Sequence, residues 1–127
     1  MKKVLITGGA GFIGSYLSNR LVKQNYSVDV VDNQLRGDYT RLDKRVKIYN
    51  IDLTKPEELS QLPKNYDWIF HLAAVNGTDN FYKIQSKVFE VGVKSCLNIY
   101  DYFKHSQSSI IVASSAEVYQ TPTIVPT

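Results

Sequence analysis

The feature that most constrains this chain is a cluster of glycines near its start. Thr7-Gly8-Gly9-Ala10-Gly11-Phe12-Ile13-Gly14 follows the apolar run Lys3–Thr7 (KVLIT) and precedes a stretch with helical spacing. Gly9, Gly11 and Gly14 fit G-x-G-x-x-G, while Gly8, Gly11 and Gly14 fit the wider G-x-x-G-x-x-G. Glycine suits such a strand–turn–helix for three reasons. The turn is tight, the backbone must approach a ligand closely, and helix and strand must pack closely. The helix behind the turn offers unpartnered N–H groups and the positive end of its dipole, so the favoured ligand is a pyrophosphate.

The rest of the chain continues the alternation. Ser27–Asp32 (SVDVVD), Val46–Asn50 (VKIYN), Asp67–Leu72 (DWIFHL) and Ser109–Ser114 (SIIVAS) read as further strands. Phe12–Gln24 carries Ile13, Tyr16, Leu17, Leu21 and Val22 at helical spacing. Phe81–Lys104 does the same with Phe81, Ile84, Val88, Val91, Leu97, Tyr100 and Phe103. Thr54-Lys55-Pro56-Glu57 predicts a short helix, with Thr54 as N-cap and Glu57 closing a capping box. Asn33–Arg45 reads as a loop or a broken helix. The prediction is an α/β fold: a doubly wound parallel sheet, the Rossmann fold, with helices on both faces and ligands at the carboxyl ends of the strands.

Asp32 closes the second strand 18 positions after Gly14, near the spacing of about 20 for a ribose-binding acid. A carboxylate there accepts bonds from ribose hydroxyls and repels a 2′-phosphate, which favours NAD over NADP. Arg36, four residues on, is close enough to accommodate a phosphate, so the alternative stays open.

Composition removes other classes. One cysteine, Cys96, among 127 residues excludes an intramolecular disulfide and a cysteine-based zinc site, and no metal is expected. No apolar run reaches the roughly 18 residues of a membrane span, and the N-terminal apolar segment is too short for a signal peptide. A cytoplasmic protein is the expectation. The net charge of +3 is scattered along the chain, which argues against nucleic acid as partner.

With these residues in view, the chain resembles the extended short-chain dehydrogenase/reductases, specifically the NAD-dependent epimerase/dehydratase family acting on nucleotide sugars. Five motifs in the family's order carry the resemblance: Thr7–Gly14, Asp32-Asn33 with Gly37, Asp52-Leu53, His71-Leu72-Ala73-Ala74, and Ser114-Ser115-Ala116-Glu117-Val118-Tyr119. The resemblance implies that Gly8, Gly11, Phe12, Ile13 and Gly14 cradle the pyrophosphate of NAD. It implies that Asp32, Asn33 and Gly37 serve the ribose, that Asp52 and Leu53 hold the adenine, and that Leu72, Ala73 and Ala74 let the dinucleotide approach a strand end. Ser115 would hydrogen-bond the sugar's 4-hydroxyl. Glu117 would supply the added acid/base of dehydratases and decarboxylases, which tilts the reading from a simple 4-epimerase toward that chemistry. The partner implied is a UDP-, TDP-, CDP- or GDP-linked sugar, and the assembly implied is a homodimer through the Phe81–Lys104 helix. Apart from the resemblance, the apolar fifth strand SIIVAS reads as an open edge able to pair with another chain. His71, inside a strand, reads as a packed core histidine.

The sequence also departs from the family. The usual N-x-x-G-T-x-N is Gly92-Val93-Lys94-Ser95-Cys96-Leu97-Asn98, which keeps Asn98 alone. Cys96 reads as a small buried residue. The catalytic Tyr-x-x-x-Lys should follow Ser115. The one match, Tyr100–Lys104, precedes it and reads as a decoy. On the resemblance, residues 1–127 are the N-terminal part of an NAD-binding domain, stopping after the fifth strand and lacking the substrate domain. Such a chain is expected to be inactive alone. The alternatives are a catalytically inert dinucleotide-binding sensor, a vestige, or an interaction module.

Overall fold

The computed structural model describes residues 1–75 and 83–119, without the side chains of Ala116 and Glu117. Phe81, where the sequence starts the long helix, lies outside the described residues. Five strands form one sheet: β1 (Lys3–Thr7), β2 (Ser27–Val31), β3 (Lys47–Tyr49), β4 (Trp68–His71) and β5 (Ser109–Val112). Their order is β3-β2-β1-β4-β5, and every pairing is parallel. The chain reverses direction across the sheet between β1 and β4. That is where an open α/β sheet opens a crevice at its carboxyl edge, and the glycine turn leaves β1 at that point.

Two cores explain the unbroken apolar run of β1. Leu5 joins Val31, Ile69, Ile99 and Phe103 on one face. Val4 and Ile6 join Val22, Val28 and Val30 on the other. A strand covered on both faces has no solvent side to alternate with.

The helices turn unexpected faces inward. Helix α1 (Phe12–Lys23) buries Gly14, Ser15, Ser18 and Val22, and leaves Ile13 and Tyr16 each 69% exposed. It starts so close to the sheet that only small residues fit beneath it, and the Ser18 hydroxyl is satisfied by the Gly14 carbonyl at 2.7 Å. Helix α2 (Gln85–Phe103) buries Ser95, Ile99 and Phe103, four residues apart, while Leu97 and Tyr100 face outward.

The capping box at Thr54 does not form. Residues Pro56–Gln61 make a 3₁₀ helix capped by Lys55 without a side-chain bond. The Thr54 hydroxyl instead donates to Asp52 at 2.7 Å. Glu58, not Glu57, reaches back and accepts the Asp52 N–H at 2.8 Å. Proline at the first helical position moves the N-cap by one residue, from Thr54 to Lys55, and the carboxylate that reaches back moves by one as well. Cys96 is half-buried, in a cleft between α2 and β5 lined also by Leu97, Tyr100, Ile110 and Val112.

Candidate functional site

The five motifs all follow strand ends on one edge of the sheet, as a parallel sheet requires. Gly8 follows β1, Asp32 follows β2, Asp52 follows β3, Ala73 follows β4 and Ser115 follows β5.

At the centre is the glycine turn. Gly8 adopts φ +67°, and a Cβ there would stand 2.8 Å from the Ala73 Cα. The turn therefore leans on the end of β4, which is why that strand ends in small residues. A Cβ on Gly14 would fall on the Gly8 carbonyl oxygen and 2.7 Å from the Gly9 Cα. Gly11 caps α1 without a side chain, and the first turn of α1 carries no acid. The first N–H groups of a helix have no partner within it, so this end can receive an anion without displacing a capping side chain.

Asp32 stands beside that turn. One carboxylate oxygen accepts the Ala10 N–H at 3.0 Å, and the other accepts the Gln34 N–H at 2.8 Å. Asn33 is exposed and accepts the Leu35 N–H at 3.1 Å. Gly37 lies against the acid, since a Cβ there would come 2.5 Å from Asp32 Oδ1. The Asn33–Arg45 segment, read from sequence as a loop or broken helix, contains a 3₁₀ turn over Tyr39–Arg41 capped by Asp38.

On the β4 side, His71 is buried. Its Nδ1 is 2.8 Å from the Thr7 hydroxyl, and its Nε2 is 3.4 Å from that of Ser95. Burial holds its pKa below the usual value. Leu72 and Ala73 pack against the cores, and Ala74 is exposed.

Asp52 is half-buried. Burial pushes its carboxyl up, but the Thr54 hydroxyl and N–H, with Lys87 and Lys55, outweigh that and hold it low. The Leu53 side chain belongs to the core, and its carbonyl accepts Asn98 Nδ2 at 2.8 Å. The one asparagine kept from the family's helix motif thus ties α2 to the loop after β3. Ser115 is exposed, and its carbonyl accepts the Val118 N–H at 3.3 Å. The Glu117 side chain lies outside the described residues. Tyr100 is exposed on α2, while Lys104 bonds Asp101 at 3.3 Å. Two participants escape the sequence motifs, Asn19 and Tyr39, which belong to no local pattern; Ala10 lies inside the first motif, and its role is its backbone.

A glycine turn, an open helix end and a strand-end acid, meeting where the sheet changes direction, define a nucleotide-binding α/β domain. The chain belongs to the NAD dependent epimerase/dehydratase family, whose profile matches residues 4–127. It is 34% identical to a UDP-N-acetyl-alpha-D-glucosaminuronate decarboxylase of Bacillus cytotoxicus, over 93% of this chain and 38% of that protein. It is 31% identical to UDP-glucuronic acid decarboxylase 1 of Danio rerio, over 98% of this chain and 30% of that protein. The chain therefore spans about a third of the length of these relatives. Among solved structures, the Bordetella bronchiseptica enzyme WbmF in complex with NAD+ matches with a TM-score of 0.84. The two are 28% identical, over 91% of this chain and 37% of that one. A UDP-galactose 4-epimerase matches with a TM-score of 0.86 at 29% identity, over 98% and 42%. Among the described residues, no helix is long and apolar enough to cross a membrane and no cluster could hold a metal ion.

Proposed function

We propose that residues 1–127 are the NAD-binding part of a nucleotide-sugar enzyme of decarboxylase or dehydratase type, acting through oxidation at sugar C4. The observation that carries this is the contact of Asp32 with Ala10, which sets a ribose acid beside a pyrophosphate turn. In this reading Gly8, Gly11 and the N–H groups of Phe12, Ile13 and Gly14 receive the pyrophosphate. Asp32, with Asn33 and Gly37, takes the adenosine ribose, Asp52 and Leu53 take the adenine, and Leu72, Ala73 and Ala74 line the approach. When bound, NAD supplies a reversible hydride acceptor. Ser115 would hold the sugar's 4-hydroxyl, and Glu117 would move a proton at the neighbouring carbon. The decarboxylases among the relatives act on UDP-linked sugars, which supports UDP among the nucleotides and fits a glutamate at position 117.

A chain of these 127 residues would bind without turnover, because its one Tyr-x-x-x-Lys lies on α2, ahead of Ser115. A cytoplasmic location and a homodimer are part of the proposal, and exposed Phe89, Leu97 and Tyr100 along α2 support the homodimer. Calorimetry with NAD, then incubation with UDP-glucuronate and UDP-glucose, tests it. Micromolar binding without product is expected. Absence of NAD binding overturns the cofactor assignment, and turnover overturns the assignment of inactivity.

A second reading, an inert dinucleotide-binding module, is favoured by Gly92. It stands in the place of the family's first asparagine and meets no atom within 4 Å of a Cβ. The reading frame after codon 127 discriminates. A continuation into Tyr-x-x-x-Lys supports the enzyme, and a stop supports the module.

A further inference from the structure

The segment between β2 and β3 is strapped down at three points. The Asp38 N–H donates to the Ala10 carbonyl at 3.0 Å. The Tyr39 hydroxyl donates to the Asp32 carbonyl. From α1, the Asn19 amide donates to the Arg41 carbonyl at 2.8 Å and accepts the Asp43 N–H at 2.7 Å. Two of these ties end on Asp32 itself or on Ala10, its hydrogen-bond donor. The third fixes the strap to the helix that follows the glycine turn.

The carboxylate at the centre of these ties has little freedom. A carboxylate offers about four acceptor directions, and the N–H groups of Ala10 and Gln34 fill two of them. Among the described residues no other hydrogen bond to the carboxylate is seen, and two open directions match the need of a vicinal pair of ribose hydroxyls. Gln34 adopts φ +57° to bring its N–H to Oδ1, a strained backbone that persists only where its surroundings enforce it. Gly37 faces the same oxygen from the strap side, where a Cβ would not fit. Turning the acid aside breaks two charge-assisted bonds. A group held this way before its ligand arrives loses little freedom on binding. A 2′-phosphate would meet this negative charge with no room for the carboxylate to withdraw.

We propose that Tyr39 and Asn19 are positioning residues that enforce selection of a dinucleotide with a free 2′-hydroxyl, by holding the 38–43 strap and through it the Asp32 carboxylate. Tyr39 suits the task because burial, and then the charge of Asp32, keep its hydroxyl protonated and donating. The proposal rests on the dinucleotide reading above, and two readouts separate their failures.

The first readout is calorimetry of the 127-residue chain and its Tyr39→Phe and Asn19→Ala variants with NAD and with NADP. Loss of one tie should weaken NAD binding about fivefold and NADP binding less than twofold, so the preference narrows. A merely structural loss weakens both alike. An unchanged preference in both variants overturns the proposal. The second needs no ligand. The Ala10 amide proton, bonded to a carboxylate, should resonate downfield and move upfield in Tyr39→Phe, a variant that keeps the ring. A resonance that stays in place overturns the proposal even where the parent chain binds NAD. If the parent binds neither dinucleotide, the dinucleotide reading falls and takes the proposal with it.

Discussion

Thr7 and His71 face each other in register across β1 and β4, with the threonine hydroxyl 2.8 Å from His71 Nδ1. The same oxygen accepts the Ala73 N–H at 3.2 Å. With that N–H accepted, the hydroxyl can still donate to Nδ1 or accept from it, so the pair is satisfied in either histidine tautomer. Thr7 and Ser95 are fully buried. The pair thus links the glycine-turn strand to the strand that ends in small residues. Thr7→Val keeps the shape and deletes the hydroxyl, leaving a buried nitrogen and an N–H without that partner. The expected loss is about 1–3 kcal/mol, read as a lower urea midpoint with an unchanged slope.

The same histidine sets an acid limit. Burial holds its folded pKa below the 6.5 of the free side chain, so the unfolded chain binds its proton first as pH falls. The contribution of neutral His71 is present above 6.5 and is lost progressively as pH drops below it. Denaturation midpoints at a series of pH values should fall across that window. A His71→Gln variant, which has no proton to take up there, should show a flatter profile than the parent. Equal slopes would refute the assignment.

Two glycines make a paired test of close approach. Gly14 is buried under the turn, where a Cβ would fall on the Gly8 carbonyl. Gly14→Ala must push backbone against backbone, at a cost of about 1–3 kcal/mol, and should abolish NAD binding. Gly92 lies mid-helix and exposed, with open space around it. Gly92→Ala should instead stabilise by roughly 0.5–1 kcal/mol, since only the helix entropy changes. Thermal melts of the two variants should shift in opposite directions.

Much of this arrangement is written in short segments. KVLIT, the glycines and Asp32 are local signals with a geometric cause, and β1, the turn and α1 follow from them. The inward faces of α1 and α2 are less legible. Apolar spacing points to Ile13, Tyr16, Leu97 and Tyr100, yet Ser18 and Ser95 are buried. For α1, closeness to the sheet decides this, and that closeness is set by the glycine turn that leads into it. The strap escapes for a related reason. Asn19 and Arg41 are 22 residues apart, and a side-chain amide that bonds distant backbone leaves no periodic trace. Thr54 misleads because proline at position 56 relocates the helix start.

The amino edge of the sheet carries a polar pin of its own. Asp29, buried in the middle of β2, accepts the Tyr66 hydroxyl at 2.7 Å and lies 3.3 Å from the Lys3 ammonium. Lys3 also stands over the Tyr66 ring, 4.8 Å from its centre. Tyr66→Phe keeps the ring in the core and strips one donor from a buried carboxylate. Hydrogen bonds to charged groups contribute about 1.5–3 kcal/mol, and a loss in that range is expected. The alkaline limb gives an independent check. Burial first, and then the bond to Asp29, raise the Tyr66 pKa above its usual 10. The phenol's contribution is therefore complete below pH 10 and is shed as pH rises past it, because the unfolded chain ionises first. Stability of the parent chain should fall between pH 10 and 11 more steeply than that of Tyr66→Phe. The other tyrosines titrate in both proteins, so the difference between the two curves isolates this pair. Coincident curves would refute the assignment of this stability to the Tyr66–Asp29 bond.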